Sequence, residues 1–397
     1  MAHIVRRIQT AVALFRTYVR GWRCRRPIVV LESDDWGSIR MSSREDCDRL
    51  VAKGYALERS PYSMDALETD ADLDRLFDVL DSVRDSRGRP ACLTANMLTA
   101  NPDFARIRES GFAEYFYEPA AATLARSPER QGVARRYAEG LKRRLFVPQL
   151  HAREHVRWWQ WIEALRTGSA EALTTFEMGM CGVPLAASRE GHGFFAPPYQ
   201  DVETLSGYGV NLEALIREGV ELFEKQFGYR PLSTVAPSYS WHDTIEHLWA
   251  KAGIRYIQGA LFQRVPMRSG EKRRAHFIGE RGAAGGIYLV RNSGFTPTTG
   301  QGVNWVERAA RWADWALRFH KPAIIGMHRT NFVGSIDPAN RDRGLGLLAQ
   351  LLRGLVDRWP DVVFLSSPEL GHLVEHGEDA VDSLDENAIF GNGQLRG

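Results

Sequence analysis

Two neighbouring carboxylates, Asp34 and Asp35, close the apolar run IVVLES at residues 28–33. Paired acids at the end of a buried run are costly unless a cation or a proton stabilises them, so a metal or a reacting proton is implied. Further along, HAREH sets His151 at the end of another apolar run, with His155 four residues later. If the intervening turn is helical, that spacing brings both imidazoles to one face. One carboxylate and two histidines make an open metal site, with room for water and substrate and with bound water acidified to a pKa of about 7. The other aspartate is then free to act as a base. His328, which follows IIGM, is placed to protonate a leaving group from the opposite side. His192, His242, His247, His276, His320 and His372 have no comparable setting and are read as ordinary histidines.

The elements that must position these groups are short β-branched or apolar runs: IVVLES (28–33), ACLTANML (91–98), LFVPQLH (145–151), LSTVAP (232–237), IRYIQGA (254–260), GIYLVRN (286–292), PAIIGMH (322–328) and DVVFLSS (361–367). Each reads as a buried strand. Between them lie helical patterns such as DADLDRLFDVLDSVRD, NLEALIREGVELFEKQFG, NWVERAARWADWALRFH and LGLLAQLLRGLVDRW. Strand–helix alternation of this kind predicts parallel strands with crossover helices, and the number of units favours a (β/α) barrel over an open doubly wound sheet. Polar residues fall at the strand carboxyl ends: Asp34 and Asp35, Asn96, His151, Ser238 and Tyr239, Arg291 and Asn292, His328. In a barrel those ends converge on one mouth. Trp36, Tyr239 and Trp241 are placed in loops there, as candidates for stacking on sugar rings, whereas Trp158, Trp159 and Trp161 read as packing residues.

Composition is that of an ordinary globular chain: 397 residues, 44% apolar, 25% charged, with 51 Lys plus Arg against 49 Asp plus Glu. The charge is uneven, since residues 1–31 hold seven Arg and no acid, which leaves an acidic remainder and argues against a broad nucleic-acid surface. Residues 1–26 predict a basic amphipathic helix, Ile4, Ile8, Val12, Phe15 and Val19 recurring at helical spacing. It either covers one end of the barrel or contacts a membrane surface, or does both. Its longest apolar stretch, AVALF, is far short of the roughly 20 residues that cross a bilayer. Cys24, Cys47, Cys92 and Cys181 show no CxxC spacing, so neither a disulfide framework nor a zinc ribbon is suggested and a reducing cytoplasm fits. The barrel is expected over 27–372, with an insertion at about 167–210 and a loose tail over 373–397.

The succession SDDWG, HAREH, VAPSYSW and IIGMHRTNF resembles the NodB-type polysaccharide deacetylases of carbohydrate esterase family four, over about residues 27–370. The resemblance implies a distorted seven-stranded barrel. It makes Asp34 the catalytic base and Asp35, His151 and His155 the ligands of one divalent ion, zinc foremost, with cobalt, nickel, manganese and iron sharing such ligands. It makes His328 the general acid and places Pro237, Tyr239 and Trp241 in one groove wall. This chain departs from the family pattern in two places. Trp36 intervenes before Gly37, so the loop over the metal should be reshaped. Val235 stands where the family carries an arginine that holds the base, so either Arg153, Arg291 or Arg329 substitutes for it or the base is tuned differently. Arg291 and Arg329 are also candidate substrate-binding residues at the mouth. FFAPPY at 194–199 fits the third motif superficially and is assigned to the insertion.

The function expected is metal-dependent hydrolysis of an amide, removing an acyl group, N-acetyl first, from an amino-sugar polysaccharide or lipid-linked precursor. A backbone N–H near Tyr239 would help to stabilise the oxyanion. The expected setting is cytoplasmic, peripheral to the inner membrane face, with a glycan as partner and no nucleic acid. Two alternatives stand beside it: a metal-free glycoside hydrolase using Asp34 or Asp35 with Glu32 or Asp243, and a non-catalytic glycan-binding scaffold.

Overall fold

The structure, a computed structural model, describes residues 19–200, 202–268, 270–300 and 302–384. Its strands are β1 (Ile28–Trp36), β2 (Leu93–Leu98), β3 (Ala100–Pro102), β4 (Tyr117–Pro119), β5 (Phe146–Ala152), β6 (Ser233–Val235), β7 (Tyr256–Gly259), β8 (Phe262–Met267), β9 (Gly270–Ala275), β10 (Ile287–Val290), β11 (Ser293–Gly294), β12 (Ala323–His328) and β13 (Val363–Leu365). All eight expected runs are strands. Side chains in β1, β2, β5, β7 and β10 are buried throughout, as required of strands covered on both faces.

The main sheet is parallel and runs β10–β7–β6–β5–β2–β1–β12–β11, with β13 pairing the start of β1. β10 and β11 stand at opposite ends of this path, yet only Arg291 and Asn292 separate them. The Arg291 N–H donates to Gly259 O on one edge at 2.8 Å, and the Asn292 N–H donates to Ile324 O on the other at 3.1 Å. The sheet is therefore curled on itself, and the chain steps from edge to edge at these two residues. Eight strands lie on the path; the count depends on taking β10 and β11 as two strands or as one interrupted stave.

Crossover helices cover the outside. In the helix Asp70–Asp81, Thr69 and Asp72 form a reciprocal capping box, and Leu73, Leu76 and Leu80 bury one face at helical spacing. The helix Leu212–Phe227 starts on an Asn211 cap and stops at Gly228, whose φ of 79° is the left-handed conformation glycine adopts without strain. Two antiparallel hairpins, β3–β4 and β8–β9, are additions the strand pattern did not predict. The insertion forms the helix Ala170–Glu177, an irregular stretch, and the helix Val202–Gly207.

Residues 1–18 lie outside the described part, and with them most of the expected amphipathic helix. Residues 22–24 are pinned to the barrel by N–H bonds from Trp22 to Ile278 O and from Cys24 to His320 O. The boundary expected at residue 372 falls inside the helix Ser367–His376, where Leu373 is buried. The tail beyond Leu384 is outside the described residues. All four cysteines are buried and free, and no described helix is long and apolar enough to cross a membrane.

The helix Ser367–His376 is held to the start of β5 by a buried pair. Arg144 donates to Glu369 through Nε at 2.8 Å and Nη2 at 2.6 Å, and the Ser366 N–H donates to the same carboxylate at 2.7 Å. Burial pushes the Glu369 carboxyl up, but Arg144 and the Ser366 bonds outweigh it and leave its pKa below the usual value. A depressed folded-state pKa contributes stability above the unfolded pKa, lost as pH falls through the folded value. Glu369→Gln should therefore cost about 3 kcal/mol at pH 7. Its deficit against the wild type should shrink as pH falls below the ordinary glutamate range. Urea unfolding of both proteins at a series of pH values checks this, and a deficit independent of pH would show that the pair does not contribute as charges.

Candidate active site

β1 delivers both aspartates to the barrel mouth, and it does so through a strained turn. Asp35 takes a φ of 78°, rare for a residue with a side chain. The pairing with β2 shifts register between Ser33 and Trp36. Gly37 (φ 82°) passes so close to Leu98 that a Cβ there would stand 2.5 Å from its carbonyl oxygen. Trp36 is thereby turned out of the mouth. It is fully buried, edge-on to Phe146 at 5.0 Å, with its indole N–H on Ser33 Oγ. Phe146 in turn packs against Phe77 and Tyr137 of the covering helices, so Trp36 belongs to the sheet–helix layer and not, as expected, to the sugar site.

Asp34 is gripped. Arg291 donates to both of its carboxylate oxygens at 2.7 Å each, to Glu32 from Nε at 2.6 Å and to the Tyr239 hydroxyl at 2.8 Å. Asn96 donates to Asp34 Oδ1 at 2.8 Å and is itself bonded to Gln258. Burial raises the Asp34 pKa, but the Arg291 charge and its hydrogen bonds outweigh that, aided by His151 and His328, and bring it to about 2. Glu32, lower in the barrel and paired less completely, is left above its ordinary value by burial. Of the three arginines expected to answer for Val235, Arg291 is the one that contacts Asp34, and with its guanidinium held by Asp34, Glu32 and Tyr239 it is not a free substrate ligand. Arg153 bonds to Glu154 and Glu218. Arg329 is wholly buried on Asp65 and Glu68; Glu68 also accepts the Gly37 N–H at 2.9 Å. Arg329 therefore braces the Asp34–Gly37 turn from below, and its expected place in substrate binding is corrected.

Asp35, His151 and His155 come together as a buried trio whose candidate ligand atoms lie within 4.8 Å of one another. His151 ends β5, but His155 sits in a bend and not on a helical turn. The His151 Nδ1 lies 2.8 Å from the carbonyl oxygen of Val235, which as an acceptor requires the proton on Nδ1 and leaves Nε2 without one, 3.5 Å from Asp35 Oδ1. Position 235 therefore contributes its backbone carbonyl to the site. His155 Nδ1 is buried with no hydrogen-bond partner. Burial, reinforced by Arg40, holds the His155 ring neutral with a pKa lowered to about 3. Asp35 stays ionised: burial opposes this, but the Arg40 charge beside it outweighs it. A carboxylate, a lone-pair-bearing Nε2 and an orphaned imidazole nitrogen fit a divalent ion, since ligands at about 2.1 Å from zinc stand roughly 3–3.5 Å apart.

The trio and Asp34 face a pocket of about 480 Å³. His328 reaches it from β12 directly opposite Asp34 in the parallel register and meets Tyr62 edge-on at 5.8 Å. Arg40 donates to Asp35 Oδ1 at 3.2 Å with its guanidinium 4.4 Å from the Phe195 ring centre. Phe195, Met180, Leu185 and Pro184 bring the insertion over one side of the pocket. Opposite, Ser238 and Tyr239 (φ 54° and 56°) form a second strained turn beside Arg291. Pro237 and Trp241 do not line the pocket; Trp241 is buried with its N–H on Glu246 at 2.9 Å. The Tyr239 N–H donates to Ala236 O at 2.9 Å and the Ser240 N–H to Pro237 O at 3.2 Å, so neither of these two is a free donor. Asp243 pairs with Arg274 on an exposed surface, and Glu32 lies below the pocket, so neither faces Asp34 across it. Arg40 and Tyr62 were not read from the sequence, and Arg291 was one of three arginines offered for Asp34, its hold on Glu32 unforeseen.

No family model and no curated protein matches the chain. Among solved structures it is similar to a probable polysaccharide deacetylase from Pseudomonas aeruginosa PAO1 (10% identity, 89% of this chain and 92% of that one, TM-score 0.41). It is also similar to the peptidoglycan deacetylase PdaC from Bacillus subtilis (11%, 90% and 95%, 0.33). A third is a GH57 branching enzyme from Thermococcus kodakaraensis (12%, 89% and 71%, 0.42). At these identities and scores the likeness carries no residue role across.

Arg291 is the cation bonded to both buried carboxylates, so Arg291→Met should destabilise the protein by about 3–5 kcal/mol. Arg291→Lys, which keeps the charge but loses the planar fork, should recover only part of that. Chemical denaturation of the two variants tests the assignment. A lysine variant as stable as the wild type would show that charge alone matters and that the bidentate geometry does not.

Proposed function

We propose that this chain is a metal-dependent hydrolase that removes an acyl group, N-acetyl first, from an amino-sugar glycan or glycan precursor. The observation that carries the reading is a pocket holding an Asp–His–His trio beside a second, clamped aspartate, with a histidine next to that aspartate on the adjacent strand. A divalent ion held by Asp35, His151 and His155 would supply Lewis acidity to the amide carbonyl and to water.

The rest is chemistry of the chain's own groups. Asp34 accepts the proton of the attacking water as the C–O bond forms. Arg291 keeps that carboxylate ionised and oriented, at the expense of basicity, since a carboxylate near 2 is a weak base at neutral pH. Such a base works only on water already made acidic, which is a reason for the ligand trio to stand beside it. Arg40 places positive charge next to the position where the tetrahedral oxyanion develops. His328 gives its proton to the departing amine nitrogen as the C–N bond breaks. Phe195, Met180, Leu185 and Tyr239 keep bulk water from the reacting groups.

Purified without added metal or an affinity tag, the protein should carry about one transition metal per chain, and His151→Ala with His155→Ala should lose it. Asp34→Asn should keep the metal but lower acetate release from N-acetylated oligosaccharides by about 10²–10⁴-fold. Absence of metal from the wild type, with none taken up on titration, sinks the proposal.

A further inference from the structure

The helix Trp305–Arg318 covers β12 with one face, burying Ala309, Ala313, Ala316 and Leu317. Its other face is unusual for a surface helix. Trp312, Trp315 and the following Phe319 are 38%, 52% and 43% exposed, at spacings of three and four that put them on one side. Trp315 and Phe319 stack with ring centres 5.7 Å apart and planes within 11°, so they present one flat aromatic plate. Arg308, Arg311 and Arg318 are exposed around it, and the exposed acid on this helix, Glu307, is paired with Arg311. Asp314 is turned away onto Arg358 and Trp359.

A second observation points to the same patch. Cys24 N–H donates to His320 O at 2.9 Å, and the Lys321 ammonium donates to the carbonyl oxygens of Gly21 and Trp22. Residues 1–18, with Arg6, Arg7 and Arg16 and no acid, therefore join the described chain within a few residues of the aromatic plate, at its basic end.

We infer that the face Trp312–Trp315–Phe319 with its arginine rim is a docking surface for an anionic lipid bilayer. Aromatic rings seated at the headgroup boundary and arginines around them are the composition of interfacial helices, in which apolar burial and attraction to anionic lipid add together. Phe319 lies next to the start of β12, whereas His328 ends that strand at the mouth. A bilayer bound at the plate thus leaves the pocket at the opposite end of the barrel, open to solution.

The test uses the full chain and sedimentation with vesicles of mixed phosphatidylglycerol and phosphatidylcholine. The wild type should bind, less tightly as salt rises and much less to phosphatidylcholine alone. Trp315→Ser with Phe319→Ser should weaken binding about tenfold with an unchanged thermal midpoint, because both side chains are exposed. If that pair lowers the midpoint, Arg308→Glu with Arg318→Glu takes its place and must weaken binding likewise. Failure of the wild type to bind, equal binding to both vesicle types, or variants that bind as the wild type does would overturn the inference. So would removal of residues 1–18 abolishing all binding, since the segment and not the helix face would then be the contact.

Discussion

Glu32 and Asp34 project into the barrel from alternate positions of one strand, and the Arg291 guanidinium is what makes that arrangement stable. Two carboxylates this deep would each be driven to take a proton if left alone. The fork geometry of arginine allows one side chain to hold both oxygens of Asp34 while its Nε reaches Glu32. Because Arg291 is also the residue at which the chain crosses from β10 towards β11, the charge pair and the closure of the sheet are the same event. The pair adds a side-chain tie to the backbone bonds that Arg291 and Asn292 make to the two edges.

From that clamp the site is assembled by register. Parallel pairing sets Asp34 beside His328, and the barrel curvature brings β5 round so that His151 faces Asp35. Each neighbour of the two aspartates is itself held: His151 by the Val235 carbonyl, the turn at Gly37 by Glu68, and Glu68 by Arg329. The three non-glycine residues at positive φ in the site, Asp35, Ser238 and Tyr239, lie on the two turns that lean over this assembly. Backbone strain there is sustained because the surrounding bonds leave the chain no alternative.

The division of labour between the aspartates follows from their cations. Asp34 has a planar fork on both oxygens, which orients it towards the pocket. Asp35 has Arg40 on one oxygen and the His151 and neutral His155 imidazoles nearby, which leaves it able to share a cation. The apolar wall from the insertion lowers the local dielectric and strengthens both effects.

The sequence by itself determined the eight strand runs, the helices between them, the convergence of polar strand ends on one mouth, and the grouping of Asp34, Asp35, His151, His155 and His328. These follow from local periodicity and from the rule that parallel strands ending together share one face. Val235, set against the pattern the chain resembles, offered three arginines as partners for Asp34. Which arginine answered was decided only by the tertiary structure, because Arg153, Arg291 and Arg329 all sit near strand ends and differ in what the fold brings within reach of each. The same holds for Trp36 and Trp241. An aromatic beside a motif looks equally available to a sugar or to the core, and a left-handed Asp35, forced where β1 shifts register against β2, turned Trp36 inward. Side-chain direction at a bulge depends on pairing partners some sixty residues away, and no local pattern records it.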